Sequence, residues 1–258
     1  MKPLAQLDAH KIGTLLFDID ETLTTDGKLT AQAYAALENL HAAGKHAIAV
    51  TGRPAGWCDH IARMWPVDAV VGENGAFYFF FADGRLHKRF ADDDATRAAN
   101  RVRLQAIGGG ILKSVAGSAL ASDQAYRETD LAIDYCEDVP PLPLEAAERI
   151  AALMRGAGLT ARVSSIHVNG WFGDYDKLTM TRSLFRERFA TDLGPANREV
   201  AYVGDSPNDA PMFAFFDNSV AVANVSRFVG RLSHEPKFVT GASAGAGFAE
   251  LVAHLLRR

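Results

Sequence analysis

Cysteine and basic charge are both scarce in this chain. Two cysteines occur among 258 residues, and Cys58 and Cys136 lack the Cys/His spacing of a zinc site, so we expect free thiols. The 27 Lys and Arg residues are outnumbered by 31 Asp and Glu residues. A net charge of −4 without a basic stripe argues against a nucleic acid or an anionic membrane surface as a partner.

Long apolar runs are missing as well. Charges interrupt every apolar stretch well before the roughly 20 residues that a membrane-spanning helix needs. The segment MKPLAQLDAHK has no apolar signal-peptide core, and we expect a cytoplasmic protein. The chain is still 48% hydrophobic, which is enough for the core of a folded protein. GGG at 108–110 and GASAGAG at 241–247 match no nucleotide-binding loop and are predicted to be turns.

Short apolar strands alternate with helical patterns at both ends of the chain. The predicted strands are 12–17, 46–50, 68–71, 199–203, 219–223 and 237–240. Strands that are apolar on both faces and alternate with helices are typical of a parallel sheet covered on both sides. The predicted fold class is therefore α/β, with a Rossmann-like doubly wound parallel sheet.

The middle of the chain follows a different pattern. FYFFFADGRLHKRF predicts a hairpin that turns at Asp83-Gly84, and DDD at 92–94 predicts the start of a helix. A further helix follows a proline-rich stretch, and LTARVSSIHVNGWF predicts one or two more strands. We interpret residues 84–165 as an inserted α+β domain, which leaves 1–83 and 166–258 as the core.

Two acids follow the first predicted strand, in the stretch LLFDIDETLT. Because side chains alternate along a strand, Asp18 and Asp20 should point the same way while Ile19 points to the other face. The functional crevice of an open parallel sheet lies at the carboxyl ends of its strands. The pair is a candidate site, although taken alone it is equally consistent with a solvated turn.

Polar groups also follow two other predicted core strands. Thr51 begins the segment TGRP after strand 46–50, and GDSPND, with Asp205 and Asp209, follows strand 199–203. Lys177 begins a later helix. Neighbouring carboxylates raise one another's pKa unless a cation compensates them. The set therefore implies a hard divalent metal, and Mg²⁺ suits carboxylate oxygens with room left for phosphate.

Together these motifs resemble the haloacid dehalogenase superfamily of phosphohydrolases. The matching pieces, in the family's order, are FDIDETLT, AVTGRP, Lys177 in YDKLTM, and VGDSPND. The long gap from Thr51 to Lys177 resembles the Cof-like branch, which has an α/β cap and includes sucrose-phosphate, trehalose-phosphate and mannosyl-phosphoglycerate phosphatases. GENGAFYF is similar to the NGA segment of that branch. Glu21 is a departure, because the family commonly has glycine there.

The resemblance implies a phosphoric monoester hydrolase whose inserted domain is a cap that selects the substrate. Asp18 is expected to attack phosphorus and form an aspartyl-phosphate that water hydrolyses. Mg²⁺ is expected to be held by Asp18, Asp205 and the main-chain carbonyl of Asp20, with support from Asp209 and Asn208 directly or through water.

The remaining matching residues are expected to handle protons and phosphate. Asp20 would protonate the leaving alcohol and then accept a proton from water, which requires a pKa roughly three units above the usual ~3.9. Thr51 and Lys177 would contact the phosphate. Candidates for binding the phosphate or the leaving group are Gly52, Arg53, Asn74 and Asn208.

The inserted domain gives only weak indications of the substrate. DQAYRETDLAIDY supplies hydroxyl, acidic and Arg groups suited to a sugar-like leaving group, and Arg127 is a candidate partner for a second anion. His167 and Asn169 are candidates to face the cleft. An ordinary surface segment is an equally good interpretation. We expect a small phosphorylated metabolite, such as a sugar phosphate, as the partner, and either a monomer or a homodimer.

Three alternatives stay open. A phosphomutase of the same fold would keep the catalytic residues but protect its phospho-intermediate from water. A glycosyltransferase also uses D-x-D to hold a metal, but this alternative leaves TGRP, Lys177 and GDSPND unexplained. A noncatalytic ligand-binding or calcium-binding protein is the third, although DIDETL lacks the glycine at the sixth position of an EF-hand loop.

Overall fold

The computed structural model describes residues 1–257, which form two sheets flanked by helices. The strands are β1 (Lys2–Pro3), β2 (Thr14–Phe17), β3 (His46–Val50), β4 (Ala69–Gly72), β5 (Phe77–Ala82), β6 (Arg85–Phe90), β7 (Ala119–Leu120), β8 (Asp130–Asp134), β9 (Thr160–Val163), β10 (His167–Trp171), β11 (Val200–Gly204), β12 (Asn218–Ala221) and β13 (Phe238–Val239). The helices are α1 (Ala31–Ala42), α2 (Ala55–Met64), α3 (Asp94–Ser114), α4 (Leu144–Gly156), α5 (Lys177–Arg188), α6 (Leu193–Ala196), α7 (Ala210–Phe215) and α8 (Ala244–Leu255).

The large sheet has nine strands in the order β1-β13-β12-β11-β2-β3-β4-β5-β6. All neighbours from β1 to β4 run parallel, and only β5 and β6 are antiparallel additions at one edge. The predicted α/β fold with a doubly wound parallel sheet is confirmed. Strands β2 and β11 are neighbours in the centre of this sheet, so the two ends of the chain build the core together.

Helices cover both faces of the large sheet. Leu15 and Phe17 of β2 pack with α1, α2 and α8, whereas Leu16, between them, packs with α5 and α7. This alternation explains why the core strands are apolar at nearly every position. None of the helices in residues 1–257 is long and apolar enough to cross a membrane.

The small sheet is antiparallel, in the order β7-β8-β10-β9, and packs on α3 and α4. Its limits differ from the predicted insertion at 84–165. The hairpin does turn at Asp83 and Gly84, but β6 returns to the large sheet by pairing with β5. At the other end β10 pairs with β8 and β9. The unit that contains the small sheet, called the small unit below, therefore runs from 94 to 171.

The helix predicted at DDD begins as expected, but it continues further than the sequence suggests. Asp93 accepts a hydrogen bond from the Thr96 amide at 2.8 Å and caps α3. The GGG stretch lies inside this helix and is not a turn. A Cβ on Gly108 would come within 3.0 Å of the Leu131 side chain, so close packing on β8 accounts for one of these glycines. The second glycine-rich stretch is a turn only at its start, because α8 begins at Ala244.

Candidate active site

Four neighbouring core strands deliver polar residues to the same edge of the large sheet. These strands, in spatial order, are β11, β2, β3 and β4. Their carboxyl ends carry Asp205, Asp18, Thr51 and Asn74, respectively, and the first residue of α5, Lys177, reaches the same place. The structure therefore brings together strand ends that are far apart in the chain, at the edge where the sequence placed the candidate residues.

Three buried carboxylates and one buried ammonium group form the centre of the site. Asp18, Asp205 and Asp209 are at most 3% exposed, and one oxygen from each lies within 4.8 Å of the others. Lys177 is 1% exposed, and its Nζ lies 3.1 Å from Asp18 Oδ1 and 2.7 Å from Asp209 Oδ1. Among residues 1–257, Lys177 is therefore the one cation at the centre of a cluster of three acids that are buried from solvent.

The charge imbalance appears in the pKa values. Burial, with smaller contributions from Asp209 and Asp20, raises the pKa of Asp18 to about 7, although Lys177 opposes the shift. Burial together with Asp209 and Asp18 raises the pKa of Asp205 well above its ordinary value. Burial disfavours the ammonium form of Lys177, but the two carboxylates beside it outweigh this and raise its pKa. The acids thus need more positive charge than Lys177 supplies.

A divalent cation fits this donor set. Asp205 Oδ1 is buried and has no hydrogen-bond partner among residues 1–257, while its Oδ2 accepts from Asn224 Nδ2 at 3.2 Å. A buried carboxylate oxygen without a partner is costly unless a metal or proton satisfies it. Asp18 likewise has an oxygen beyond the one that faces Lys177.

Asp209 is placed differently from the other two acids. Its Oδ1 accepts from Lys177 Nζ and the Tyr202 hydroxyl, and its Oδ2 accepts from the amides of Asp205 and Ser206 at 2.9 and 3.1 Å. Four donors occupy the carboxylate, which favours a supporting role over direct contact with a metal. The GDSPND segment also requires its first residue to be glycine, because a Cβ on Gly204 would overlap the Asp209 carboxylate.

Asp20 lies beside Asp18 but has its own partner. Both acids line one cavity, and Ile19 between them is buried on the other side, as the strand alternation predicts. Arg53 Nε donates to both Asp20 oxygens at 2.9 and 3.0 Å, and Arg53 Nη2 lies 2.8 Å from Oδ1. Asp20 is therefore held by a forked ion pair.

Glu21, the departure from the family pattern, adopts a left-handed backbone conformation with φ 55°. Glycine takes this conformation without cost, whereas other residues lose roughly 1 kcal/mol. Two contacts hold the turn: the Glu21 carbonyl accepts from Asn224 Nδ2 at 2.9 Å, and its Oε1 accepts from the Gly27 amide at 3.3 Å. The fold thus keeps the glycine-like backbone with a glutamate.

The predicted phosphate-binding groups cluster next to the acids. Thr51 is buried, and its Oγ1 accepts from the Arg53 amide at 3.0 Å. Asn208 Nδ2 donates to Asn74 Oδ1 at 3.3 Å, and Asn74 Nδ2 is buried without an acceptor among residues 1–257. A Cβ on Gly52 would come within 3.2 Å of that Nδ2. An unused buried donor beside the carboxylates is suited to an anionic ligand.

Lys177 is fixed by the backbone that precedes it. Gly75, at φ 108°, packs so closely on residue 176 that a Cβ there would overlap the Asp176 carbonyl and lie 2.8 Å from the Lys177 amide nitrogen. Asp176 in turn caps α5 by accepting from the Thr179 amide at 2.7 Å. The start of α5 is thus clamped to the core turn after β4.

The small unit closes over the site. The cavity that contains Asp18 and Asp20 measures about 10 Å³, which is roughly room for one water molecule. Its small-unit walls are Ser164, Ile166, His167 and Asn169. The two side chains that the sequence suggested might face the cleft, His167 and Asn169, do so.

Arg53 also joins the core to the small unit. Its guanidinium donates to Asp123 Oδ2 at 3.2 Å and to both oxygens of Glu137. His167 Nε2 lies 2.8 Å from Glu137 Oε2, an ion-pair distance, although the alignment falls short of a hydrogen bond. Burial disfavours the Glu137 carboxylate, but His167 and Arg53 outweigh this and lower its pKa to about 2.

Arg127 does not have the role that the sequence suggested. It is buried, and its guanidinium donates to Asp123 Oδ1 at 3.0 Å, to Asp130 Oδ1 at 3.0 Å and to the Gly52 carbonyl at 2.9 Å. Two carboxylates already neutralise it, so it is not placed to pair with a second anion of the substrate. It holds the small unit against the core instead.

Glu73 is a functional candidate that the sequence interpretation missed. It follows β4, is 0% exposed, and accepts from the Ala55 amide of the core at 2.9 Å. It also accepts from the amides of Glu128 and Thr129 in the small unit at 2.9 and 2.7 Å, and from the Thr129 hydroxyl. The available signal was the stretch ENG, since Glu73 and Asn74 both adopt positive φ, which is common at functional sites.

Comparisons with known proteins agree with this geometry. A family model described as haloacid dehalogenase-like hydrolase matches residues 15–101 and 184–250. A phosphoglycolate phosphatase of Haloarcula marismortui is 30% identical over 241 residues, covering 93% of this chain and 95% of that protein. A phosphoglycolate phosphatase of Methanothrix thermoacetophila is 28% identical over 134 residues, covering 52% of this chain and 54% of that protein.

Solved structures show the same fold at low sequence identity. A Thermoplasma acidophilum protein superposes with a TM-score of 0.70 at 19% identity, covering 95% of this chain and 99% of its own. The sucrose-phosphatase of Synechocystis, solved with sucrose and phosphate, gives 0.63 at 15% identity, covering 95% and 98%. The resemblance predicted from the motifs is confirmed, and the chain belongs to the haloacid dehalogenase-like hydrolase family, within the superfamily of phosphohydrolases.

Proposed function

We propose that this protein is a Mg²⁺-dependent phosphatase that transfers the phosphoryl group of a small phosphomonoester to Asp18 and then to water. The observation that carries the proposal is the buried cluster in which Asp18 and Asp205 face a single cation, Lys177, while Asp205 Oδ1 has no partner among residues 1–257. Buried acids that outnumber the cations beside them, with pKa values shifted as a result, are a feature of catalytic sites.

The residues present fit a magnesium ion. Asp18, Asp205 and the main-chain carbonyl of Asp20 would hold it, with Asp209 keeping the Asp205 loop in shape through its own hydrogen bonds. When bound, Mg²⁺ would neutralise the buried acids and the charge that develops on the phosphoryl oxygens.

The nucleophile in this proposal is Asp18. Its carboxylate attacks phosphorus, and the ester oxygen of the substrate leaves. Lys177, fixed on α5 at 3.1 Å from Asp18 Oδ1, supplies a compact positive charge beside the transferred group. Thr51, Asn74 and Asn208 are the candidate donors to the remaining phosphoryl oxygens.

Asp20 is proposed to handle the proton. It gives a proton to the leaving alcohol and later takes one from the attacking water. In the closed arrangement both its oxygens accept from Arg53, so Arg53 must release at least one oxygen before Asp20 can carry a proton. The partners of Arg53 in the small unit, Asp123 and Glu137, are available to hold the guanidinium when it does so.

A hydroxyl-rich leaving group, as in a sugar phosphate, fits the small-unit wall best. Asn169 and Ser164 offer neutral hydrogen-bonding groups and His167 offers an imidazole, while the carboxylates of Asp123 and Glu137 already occupy the guanidinium of Arg53. We propose that the small unit acts as the cap that selects this group. Because the closed cavity has room for about one water molecule, the cap must open to admit the substrate.

A second candidate substrate is 2-phosphoglycolate. It is favoured by the Haloarcula marismortui phosphoglycolate phosphatase, which this chain matches over nearly its whole length. Its carboxylate would have to compete with Asp123 and Glu137 for Arg53, or bind His167. The acidic surroundings of Arg53 make this the less favourable leaving group.

The test is release of inorganic phosphate from a panel of sugar phosphates and 2-phosphoglycolate, with Mg²⁺ and with EDTA. We expect Mg²⁺-dependent release that Asp18→Asn reduces by at least ~10³-fold, since the nucleophile is lost. Asp59→Asn, which alters an exposed ion pair with Arg63 on α2, is the matched control and should retain activity.

Each other outcome decides between the alternatives. Release that survives Asp18→Asn would contradict the assigned nucleophile. Transfer of phosphate between positions of a sugar without release to solution would favour a phosphomutase. Faster turnover of 2-phosphoglycolate than of every sugar phosphate would favour the second candidate.

A further inference from the structure

A second cavity lies between the small unit and the core, beside the active-site cavity but lined by different residues. Its volume is about 450 Å³, and none of its lining residues lines the cavity of Asp18 and Asp20. One wall comes from α4 and β9 of the small unit, and the other from α7, Pro207 just before it, and the core segment 228–234. This volume is within the roughly 300–1,000 Å³ range of small-molecule sites.

The cavity is positively charged although the chain is net negative. Its charged lining residues are Arg155, Arg162, Arg231 and Glu148, three cations against one anion in a chain of net charge −4. Arg231 is paired with Glu148 at 2.9 Å and Glu145 at 3.1 Å. Within residues 1–257, neither Arg155 nor Arg162 lies within 4.0 Å of a carboxylate oxygen, and Arg162 Nη1 donates to the Ala161 carbonyl at 3.3 Å. The positive charges of both guanidinium groups are thus uncompensated, and their other N–H groups can bind an anion.

The rest of the lining is largely apolar. The apolar side chains include Leu144 and Val163 of the small unit and Pro211 and Phe228 of the core. Phe228 is only 1% exposed and forms part of the floor. An inorganic anion would leave this apolar surface uncovered, whereas a molecule with an apolar body would cover it.

We propose that this cavity binds a small organic anion, in which an acidic group faces Arg155 and Arg162 and an apolar body rests on Pro211 and Phe228. The ligand class is therefore a small molecule with one negative group attached to an apolar frame. Because Arg155 and Arg162 belong to the small unit while Pro211 and Phe228 belong to the core, the bound molecule connects the two. It also lies next to Pro207, which precedes Asn208 in the active-site loop.

The experiment is a fluorescence titration of the full chain with 8-anilinonaphthalene-1-sulfonate, an aromatic sulfonate that becomes fluorescent in apolar sites. We expect saturable binding of one equivalent, weakened at least 10-fold in the double variant Arg155→Ala/Arg162→Ala. Arg149→Ala is the matched control, since Arg149 is an exposed residue of the same helix that does not line the cavity. This control should bind as the wild type does.

A second double variant distinguishes loss of positive charge in the cavity from loss of folding. Arg155→Lys/Arg162→Lys keeps both charges and should retain most of the affinity, with both double variants checked for unchanged thermal unfolding. Equal affinity in the alanine variant, or no saturable binding by the wild type, overturns the proposal. So does loss of the signal in Trp57→Ala, because the dye would then occupy the exposed aromatic surface of Trp57 and Tyr126.

Discussion

The buried carboxyl group of Glu73 makes the stability of this protein depend on pH in an unusual direction. Burial, and then the nearby Asp130 carboxylate, raise the pKa of Glu73 to about 7, while Arg127 opposes the shift. A glutamate in the unfolded chain titrates near 4.5. Between pH 4.5 and 7 the native state therefore retains a proton that the unfolded state has lost.

The sign and size of the effect follow from linkage. Stability falls with rising pH wherever the native state binds more protons. The contribution of Glu73 is thus fully present below pH 4.5 and is lost as the pH rises through 7. At about 1.4 kcal/mol per pKa unit, the whole window corresponds to roughly 3 kcal/mol.

The substitution Glu73→Gln removes the titration. Each carboxyl oxygen of Glu73 accepts from two donors, and the amide keeps only one accepting oxygen. The substitution therefore leaves either the Ala55 and Glu128 amides or the amide and hydroxyl of Thr129 without an acceptor, at a cost of about 1–3 kcal/mol for each donor. We expect the variant to be less stable than the wild type at pH 5. The difference should shrink by roughly 3 kcal/mol by pH 8, because the Glu73 titration is present only in the wild type, whereas the titration of Asp18 is common to both proteins.

The assay is urea unfolding of both proteins at pH values from 5 to 8, with the free energies compared at equal slope. Glu148→Gln, at an exposed glutamate of the small unit, controls for the substitution itself and should change the free energy by less than about 0.5 kcal/mol. A difference between wild type and Glu73→Gln that stays constant from pH 5 to 8 would refute the reasoning.

Three further predictions concern the active site. Because Asp18 has a pKa of about 7, Mg²⁺ must displace its proton at lower pH, so the affinity measured by calorimetry should rise roughly 8-fold from pH 6 to pH 7.5. An affinity that does not change with pH would contradict Asp18 as a ligand. Gly204→Ala should reduce Mg²⁺ affinity and kcat by at least ~100-fold, because the added methyl group displaces the Asp209 carboxylate. The control is Gly109→Ala, at a position on α3 where a Cβ meets no other atom. This control should leave Mg²⁺ affinity and kcat unchanged and add up to about 1 kcal/mol of stability. Arg53→Lys keeps the charge but loses the fork, so kcat/KM should fall by roughly 10- to 100-fold, and an unchanged value would show that the forked contacts are dispensable.

The site residues that could be predicted from the sequence are those that directly follow a core strand. Asp18, Thr51 and Asp205 each directly follow an apolar strand, so a parallel sheet must bring them to one edge. Lys177 was added to this set as a cation at the start of a later predicted helix, but nothing in its local pattern says that α5 starts beside β2.

The contacts between the two units could not be predicted. Arg53 and Glu137 are 84 residues apart in the chain, and Glu73 and Thr129 are 56 apart. Only the tertiary fold brings such pairs together, and in the sequence alone each of these residues resembles an ordinary polar or charged surface residue. The strand pairing that places β6 in the large sheet and β10 in the small sheet could not be predicted for a related reason, since it depends on which sheet offers a partner strand.

The close packing of Gly75 on Asp176 makes the position of Lys177 independent of movement in the small unit. The chain leaves the small unit at Trp171 and is fixed to the core by residue 176, so flexing on this side is confined to the few residues between them. In the proposed opening of the small unit, Lys177 would consequently stay aligned with Asp18. Sequence changes confined to the small unit would then leave the positions of the proposed phosphoryl-transfer groups undisturbed, so that its substrate specificity could change while the reaction centre stays the same.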